Sequence, residues 1–279
     1  MEIFTLPEYF LDGTPDLVNV QFYQTENSTV KNKISLSQHL MCILLDGQKE
    51  IIDNSAAHKF DNGQFCLLSA GNVLMTERTS AERGYESLLF FYSNIFLLNL
   101  VEKYELALPE AQRSGARIRV LDKDDYVLNF QQSLRLLQDR ILQSGPLRLA
   151  KLEEIFLYLI EKAPSLVLPF IRQALADQRH HSFTQIIQNH LYDNLTYEEL
   201  AFLCNMSIST FKRRFSEAYQ TTPKKYFISQ RMKRAVFLLQ NNKRPSEIYF
   251  ELGYESLSSF SIEFKKHFGV SPRSYMLQS

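Results

Sequence analysis

Residues 207 to 227 read SISTFKRRFSEAYQTTPKKYF, and residues 256 to 276 read SLSSFSIEFKKHFGVSPRSYM. Laid over each other, Ser207 meets Ser256, Ser209 meets Ser258, Phe211 meets Phe260, Phe215 meets Phe264, Pro223 meets Pro272 and Tyr226 meets Tyr275. Six identities in 21 positions mark two copies of one unit. The copies part at one informative place, where Lys212-Arg213-Arg214 faces Ser261-Ile262-Glu263. Ile208, Phe211, Phe215 and Tyr219 fall on one helical stripe, and Leu257, Phe260, Phe264 and Phe268 on another, so each copy is an amphipathic helix with its stripe expected in a core.

Upstream of each copy lies a shorter helical run, TYEELAFLC (196–204) and PSEIYFEL (245–252). These runs end at Asn205 and Gly253, which tolerate the left-handed backbone of a tight turn. Helix, tight turn, helix is therefore written twice. Ser207 and Ser256 are placed to cap the second helix of each pair, whose positive dipole end can also approach a phosphate. The face away from the aromatic stripe carries Ser209, Thr210, Lys212 and Arg213 in the first copy and Ser258, Ser261, Ile262, Lys265 and Lys266 in the second. An exposed arginine can donate two hydrogen bonds to guanine, serine and threonine reach base edges or phosphates, and a helix fits the major groove. A solvated amphipathic helix would account for either copy alone, and the pairing favours the groove.

Working outward, the chain has 279 residues, 45% hydrophobic and 22% charged, which indicates folded material with room for two domains. The net charge of zero conceals an asymmetry. Residues 1–171 hold 16 Lys+Arg and 22 Asp+Glu, whereas 172–279 hold 15 and 9. The repeat thus sits in the basic part, where a polyanion is attracted through release of its counterions. The acidic start MEIFTLPEYFLDG is no secretory signal, and no window reaches the roughly 18 apolar residues of a membrane span, so the expected compartment is the cytoplasm, with no membrane partner. Cys42, Cys66 and Cys204 match no metal or disulfide spacing and are read as buried, reduced thiols.

The first hundred residues read as short strands. HLMCILL (39–45) and KEIID (49–53) flank Asp46-Gly47, a hairpin signal, and further turns at Asp61-Asn62-Gly63, Ala70-Gly71-Asn72 and Gly84 recur about every ten residues, as in a small barrel or sandwich. From about residue 94 the period becomes helical in NIFLLNLVEKYEL, YVLNFQQSLRLLQDRIL and LAKLEEIFLYLIEKA. Leu149, Leu152, Ile155, Phe156 and Leu159 of the last can face either this domain's own core or a second subunit. Pro164 and Pro169 in APSLVLP (163–169) predict a linker. The expected division is residues 1–165 and residues 172–279.

The C-terminal hundred residues resemble the double helix-turn-helix domain of the AraC/XylS family of bacterial transcription regulators. LTYEELAFLCNMSISTFKRRFSEAYQTTPKKYF resembles its first unit, RMKRAVFLLQ (231–240) its connecting helix and GYESLSSFSIEFKKHFGVSPRSYM its signature region. The resemblance implies two recognition helices entering successive major-groove segments about 34 Å apart on double-stranded DNA, and RNA polymerase as a partner. Asn205 stands where the family often has Gly, Tyr249 where alanine is usual, and Ile262 where many members carry a polar or basic residue.

The N-terminal segment is similar to the family's cupin-like sensing domain, with the subgroup of type III secretion activators nearest. The fold class implied is α+β: a cupin-like β-barrel with following helices, then an all-α DNA-binding domain. The function implied is a sequence-specific DNA-binding regulator, an activator controlled by a small ligand and able to form a homodimer. The alternatives are control by a protein partner, or a cupin enzyme fused to a DNA-binding tail. His39 and His58 form no HxH pair, so neither a metal nor another cofactor is expected, and no nucleophile-base pair or phosphate-binding loop suggests catalysis.

Overall fold

In the computed structural model, which describes residues 2–80, 84–110, 117–176 and 183–276, the chain divides into Met1–His180 and His181–Ser279. The first unit contains β1 (Ile3–Leu6), β2 (Val18–Thr25), β3 (Thr29–Leu36), β4 (His39–Asp46), β5 (Gln48–Ile52), β6 (Ala57–Asp61), β7 (Gln64–Leu68), β8 (Gly71–Arg78) and β9 (Tyr85–Tyr92). There follow α1 (Asn94–Lys103), β10 (Ile118–Asp122), α2 (Asp125–Leu136), α3 (Gln138–Gln143), α4 (Gly145–Lys162) and α5 (Pro164–Ala176).

The strands form two five-stranded sheets, ordered β1-β3-β8-β5-β6 and β10-β7-β4-β9-β2. They make a sandwich with open edges, one of the two arrangements the turn spacing suggested, and do not close into the barrel that the resemblance implied. Leu36, Ile51, Phe60 and Met75 of the first sheet pack with Leu40, Cys42, Cys66 and Leu89 of the second. The other face of the second sheet, through Met41, Ile43, Leu67, Leu88 and Phe90, is covered by Leu100, Phe130, Leu152, Ile155, Phe156 and Leu159 of the helices. Because β4 and β9 are buried on both faces, HLMCILL and LLFFY are continuous apolar runs instead of alternating ones. Of the α4 residues whose partner the sequence left open, Leu152, Ile155, Phe156 and Leu159 therefore belong to this core, and only Leu149 is exposed.

Three features depart from the sequence reading. Asp46-Gly47 turns the chain sharply, with Gly47 at φ +88, yet it joins β4 to β5 across the two sheets. β4 pairs with β7 and β9, while β5 pairs with β6 and β8, so no hairpin forms there. The segment expected to be a linker is part of α5: Pro164 starts the helix, where its missing N–H costs nothing, and Val167, Phe170, Ile171 and Ala174 are buried in the core. The first unit accordingly runs past residue 165. Finally, β10 had no counterpart in the sequence reading and extends the second sheet beside β7.

The second unit is helical throughout its described residues: α6 (Phe183–Asn189), α7 (Tyr197–Leu203), α8 (Ile208–Tyr219), α9 (Pro223–Gln240), α10 (Pro245–Ile248), α11 (Leu257–Phe268) and α12 (Pro272–Met276). Thr196 and Glu199 form a reciprocal capping box that starts α7. Phe211, Phe215, Phe260 and Phe264 have no exposed surface, and each contributes about 1.5–3 kcal/mol through burial. The repeat is also visible in ring packing. Phe215 lies 4.6 Å from Tyr219 and 5.5 Å from Tyr226, and Phe264 lies 4.6 Å from Phe268 and 5.6 Å from Tyr275. Pro223 and Pro272 are the buried first residues of α9 and α12.

Candidate DNA interface

Each candidate groove helix begins on a serine cap, as its position in the repeat requires. Ser207 Oγ accepts the Thr210 N–H at 3.2 Å and Ser256 Oγ accepts the Ser259 N–H at 3.1 Å. Ser207 Oγ further donates to Thr210 Oγ1 and lies 2.9 Å from Ser209 Oγ. The two serines therefore serve first as helix caps. Both helices close on a left-handed residue, Gln220 at φ 52 and Gly269 at φ 80, so the copies share their beginning, length and end.

Beyond the caps, α8 exposes Ser209, Lys212 and Arg213 on one side, with Thr210 half-buried. Arg213 Nε is 4.0 Å from Glu217 Oε1, and the two side chains are 75% and 69% exposed. Such a solvated pair is worth little, so the guanidinium is available to a partner. Arg214 differs, since its guanidinium lies 5.2 Å from the centre of the Phe183 ring and is engaged in packing. On α11, Ser258, Ile262, Lys265 and Lys266 are exposed. Ser261 is half-buried and its hydroxyl donates to the Leu257 carbonyl at 2.7 Å, leaving it only as an acceptor. Lys265 and Lys266 occupy the last turn of α11, away from the capped end and suited to the helix dipole. Leu257, expected on the core stripe, is 39% exposed and lines the groove beside Pro245 and Pro272 instead.

Two cations escaped the sequence reading. Exposed Arg244 and Arg273 flank α11 from α10 and α12, on a groove of about 570 Å³ that also takes in Pro245, Leu257, Ser261 and Pro272. Their sequence separation carries no periodic signal, and only the fold brings them to one helix. The family departures are also explained. Asn205 adopts φ 55, the conformation Gly253 adopts at φ 76, and Tyr249 is half-buried at the margin of the cluster around Phe260 and Phe264.

The N-terminal histidines have structural surroundings. His39 Nδ1 accepts the Ala70 N–H at 3.0 Å, so Nε2 carries the proton and donates to Asn94 Oδ1 at 2.6 Å. Burial holds His58 below the ordinary histidine range. Cys42, Cys66 and Cys204 are free and buried.

A pair of capped, outward-facing helices in a basic helical unit, preceded by a sheet-and-helix unit, defines a two-part DNA-binding regulator. Residues 200–278 match the Helix-turn-helix domain family, and residues 39–170 match the ExsA N-terminal regulatory domain family. The chain is similar to the virulence regulon transcriptional activator VirF of Yersinia enterocolitica, 22% identical over 240 residues that span 85% of this chain and 88% of VirF. It is 23% identical to the HTH-type transcriptional regulator ExsA of Pseudomonas aeruginosa over 239 residues, 82% of this chain and 83% of ExsA. Among solved structures, apo ToxT of Vibrio cholerae aligns over 94% of this chain and 98% of its own, with a TM-score of 0.45 and 14% identity. The protein belongs to the AraC family of DNA-binding transcription regulators, and its N-terminal unit is similar to that of the family's ExsA-type members. No helix among the described residues is long and apolar enough to cross a membrane.

Proposed function

We propose that this regulator reads its operator mainly with α8, anchors itself with α11, and is controlled by a small ligand bound in its N-terminal unit. The observation that carries the DNA reading is the asymmetry between two otherwise matching helices: Arg213 on α8 is replaced by Ile262 on α11, which is 70% exposed. Arg213, with Ser209, Thr210 and Lys212, offers directional contacts to base edges. Around α11, Lys265, Lys266, Arg244 and Arg273 offer charge to phosphates, which positions a protein without specifying sequence. Ser258 and Ser261 supply polar contacts there, and Ile262 an apolar one.

On this division of labour a fragment comprising His181–Ser279 binds duplex DNA by itself. Its affinity falls as salt rises, with a log-log slope of about −0.9 per phosphate neutralised. Titrations at several salt concentrations check this. A folded fragment that fails to bind at low salt, or binds with no salt dependence, defeats the assignment.

The ligand reading rests on a cavity of about 140 Å³ between the two sheets, walled by Phe10, Tyr23, Ile34, Leu40, Met75 and Leu89, with Lys49 and Glu77 at its polar end. That volume compares with the roughly 150 Å³ that accommodates a benzene ring, so the ligand class is small and mostly apolar. Compounds of this class are expected to raise the unfolding temperature of the full-length protein, and Met75→Trp, which fills the cavity, is expected to abolish the shift. A shift that persists in Met75→Trp moves the site elsewhere. The second reading, control by a protein partner in the cytoplasm, is favoured by Ile95, Leu98 and Leu136, which face solvent at 58%, 53% and 80% exposure. The same outward residues, and not Leu152, are available for pairing two copies. Contact with RNA polymerase completes the proposed activator.

A further inference from the structure

The two helix-turn-helix turns are built alike but rest on different things. In the first, Asn205 N–H donates to Phe202 O at 2.9 Å and Met206 N–H to Ala201 O at 3.0 Å; in the second, Gly253 N–H donates to Phe250 O and Tyr254 N–H to Tyr249 O, both at 3.0 Å. A Cβ on Gly253 would lie 2.4 Å from the Tyr192 carbonyl oxygen and 3.0 Å from Arg231 Nη2. The second turn is thus seated directly on the 190–194 loop, which leads into α7 of the first helix-turn-helix. Asn194 Nδ2 also donates to Glu255 Oε1 at 3.1 Å, and the buried His190 ring holds Asp193 at 2.7 Å.

One guanidinium gathers these segments. Arg231, on the connecting helix α9, donates to Asp193 O at 2.9 Å and to Gly253 O at 3.4 Å, and lies 5.7 Å from the centre of the Tyr254 ring. The group is held by carbonyls and a ring, without a carboxylate among the described residues at ion-pair distance. Even half-burial of a cation on such terms is costly. That cost has an evident return in geometry, because a helix displaced by one base pair along DNA must shift by about 3.4 Å and rotate by about 35° to meet the same groove face. Packing on the connecting helix, with Phe260 and Phe264 against Met232 and Ala235, seats α11 on α9. A three-way junction also fixes rotation.

We propose that Arg231 is the positioning residue that sets the second recognition helix relative to the first, so that α8 and α11 engage DNA in one fixed phase. This rests on the reading that both helices face DNA. The contacts tie the 190–194 loop, α9 and the 253–255 turn together, and none of these groups needs to touch DNA.

The test is a hydroxyl-radical footprint of the full-length protein on a duplex selected by the wild type from a randomised library, with circular dichroism to establish folding. Wild type is expected to protect two backbone segments one helical turn apart. Arg231→Leu is expected to retain the α8 segment, to lose at least half of the protection over the α11 segment, and to bind about tenfold or more weaker, as when one of two linked contacts is released. Arg231→Lys, which keeps the charge without the planar fork, should fall between the two and serves if the leucine variant does not fold. A folded variant with both segments protected as in wild type overturns the inference, and so does an equal loss of both, which would mark Arg231 as a residue of general stability. A single protected segment in the wild type would instead overturn the two-helix reading.

Discussion

Replacing Glu77 with alanine is expected to destabilise the N-terminal unit by about 3–5 kcal/mol, the usual consequence of removing one partner from a buried ion pair. Lys49 Nζ lies 2.7 Å from Glu77 Oε1, with the two side chains only 2% and 10% exposed. The ammonium also donates to Tyr85 Oη at 2.9 Å, and Tyr23 Oη donates to Glu77 Oε2 at 3.2 Å. Burial acts to discharge Lys49, but Glu77, and after it Tyr85, outweigh burial and hold it well above the ordinary lysine value. Burial and Glu77 together push Tyr23 up to about 12. With Glu77 removed, desolvation of the ammonium, the largest influence, is opposed only by the weaker ones of Tyr85 and Cys42.

The pH dependence should therefore change sign. In the wild type the raised lysine value contributes stability that is present below the unfolded value, near 10.4, and is lost as pH rises through the higher folded value. In Glu77→Ala the folded value falls below the unfolded one, so stability should instead increase with alkaline pH as Lys49 discharges. The double variant Lys49→Met with Glu77→Leu removes both charges and should recover most of the loss. The chain has no tryptophan, so urea unfolding would be followed by circular dichroism. A loss under about 1 kcal/mol in the single variant, or a double variant no more stable than it, would show that the pair does not govern this interior.

The second large effect concerns readout. Arg213→Ala is expected to cost about 1–3 kcal/mol on the preferred site and to relax preference at one or two base pairs, because a guanidinium that donates twice to a guanine edge is lost. Ile262→Ala should cost less and leave the preferred sequence nearly unchanged, since an isoleucine contributes at most an apolar contact, for example with a thymine methyl. Neither change should harm folding: both side chains are largely exposed, and the ion pair at risk among the described residues is the solvated one to Glu217. Competition binding over single-base variants of the site separates the two helices. If Ile262→Ala blurs the preference more than Arg213→Ala does, α11 is the reader and the roles must be exchanged.

Much of the DNA-binding unit was legible because its signals are local. Of the six repeated residues, Ser207 and Ser256 are caps, Phe211, Phe215 and their counterparts are core, Pro223 and Pro272 begin helices, and Tyr226 and Tyr275 pack on the second phenylalanine. Caps, stripes and first-turn prolines act within about four residues of chain, so their spacing announces them. Ser209 and Ser258 are the repeated pair that packing does not explain, and they lie on the exposed face assigned to DNA.

What the sequence alone determined, then, was the repeated helices with their caps and aromatic faces, the strand-rich first hundred residues, and a division into a strand-rich and a helical part. The tertiary structure decided the partners. Asp46-Gly47 specifies a sharp reversal equally well for a hairpin or for a step between sheets, and only the pairing of β4 with β7 and β9 settled which. Pro164 and Pro169 look like a linker until Phe170 and Ile171 are seen buried: a helix start tolerates proline, where Pro164 stands, and burial of the helix face offsets the hydrogen bond that Pro169 removes inside the helix. Gly253 and Asn205 are equivalent as local turn residues, yet only Gly253 meets a carbonyl 2.4 Å from where a Cβ would stand. Backbone torsions are chosen by neighbours in sequence, whereas burial, sheet partners and the contacts of Arg231 are set by segments tens of residues away, and no short-range pattern records them.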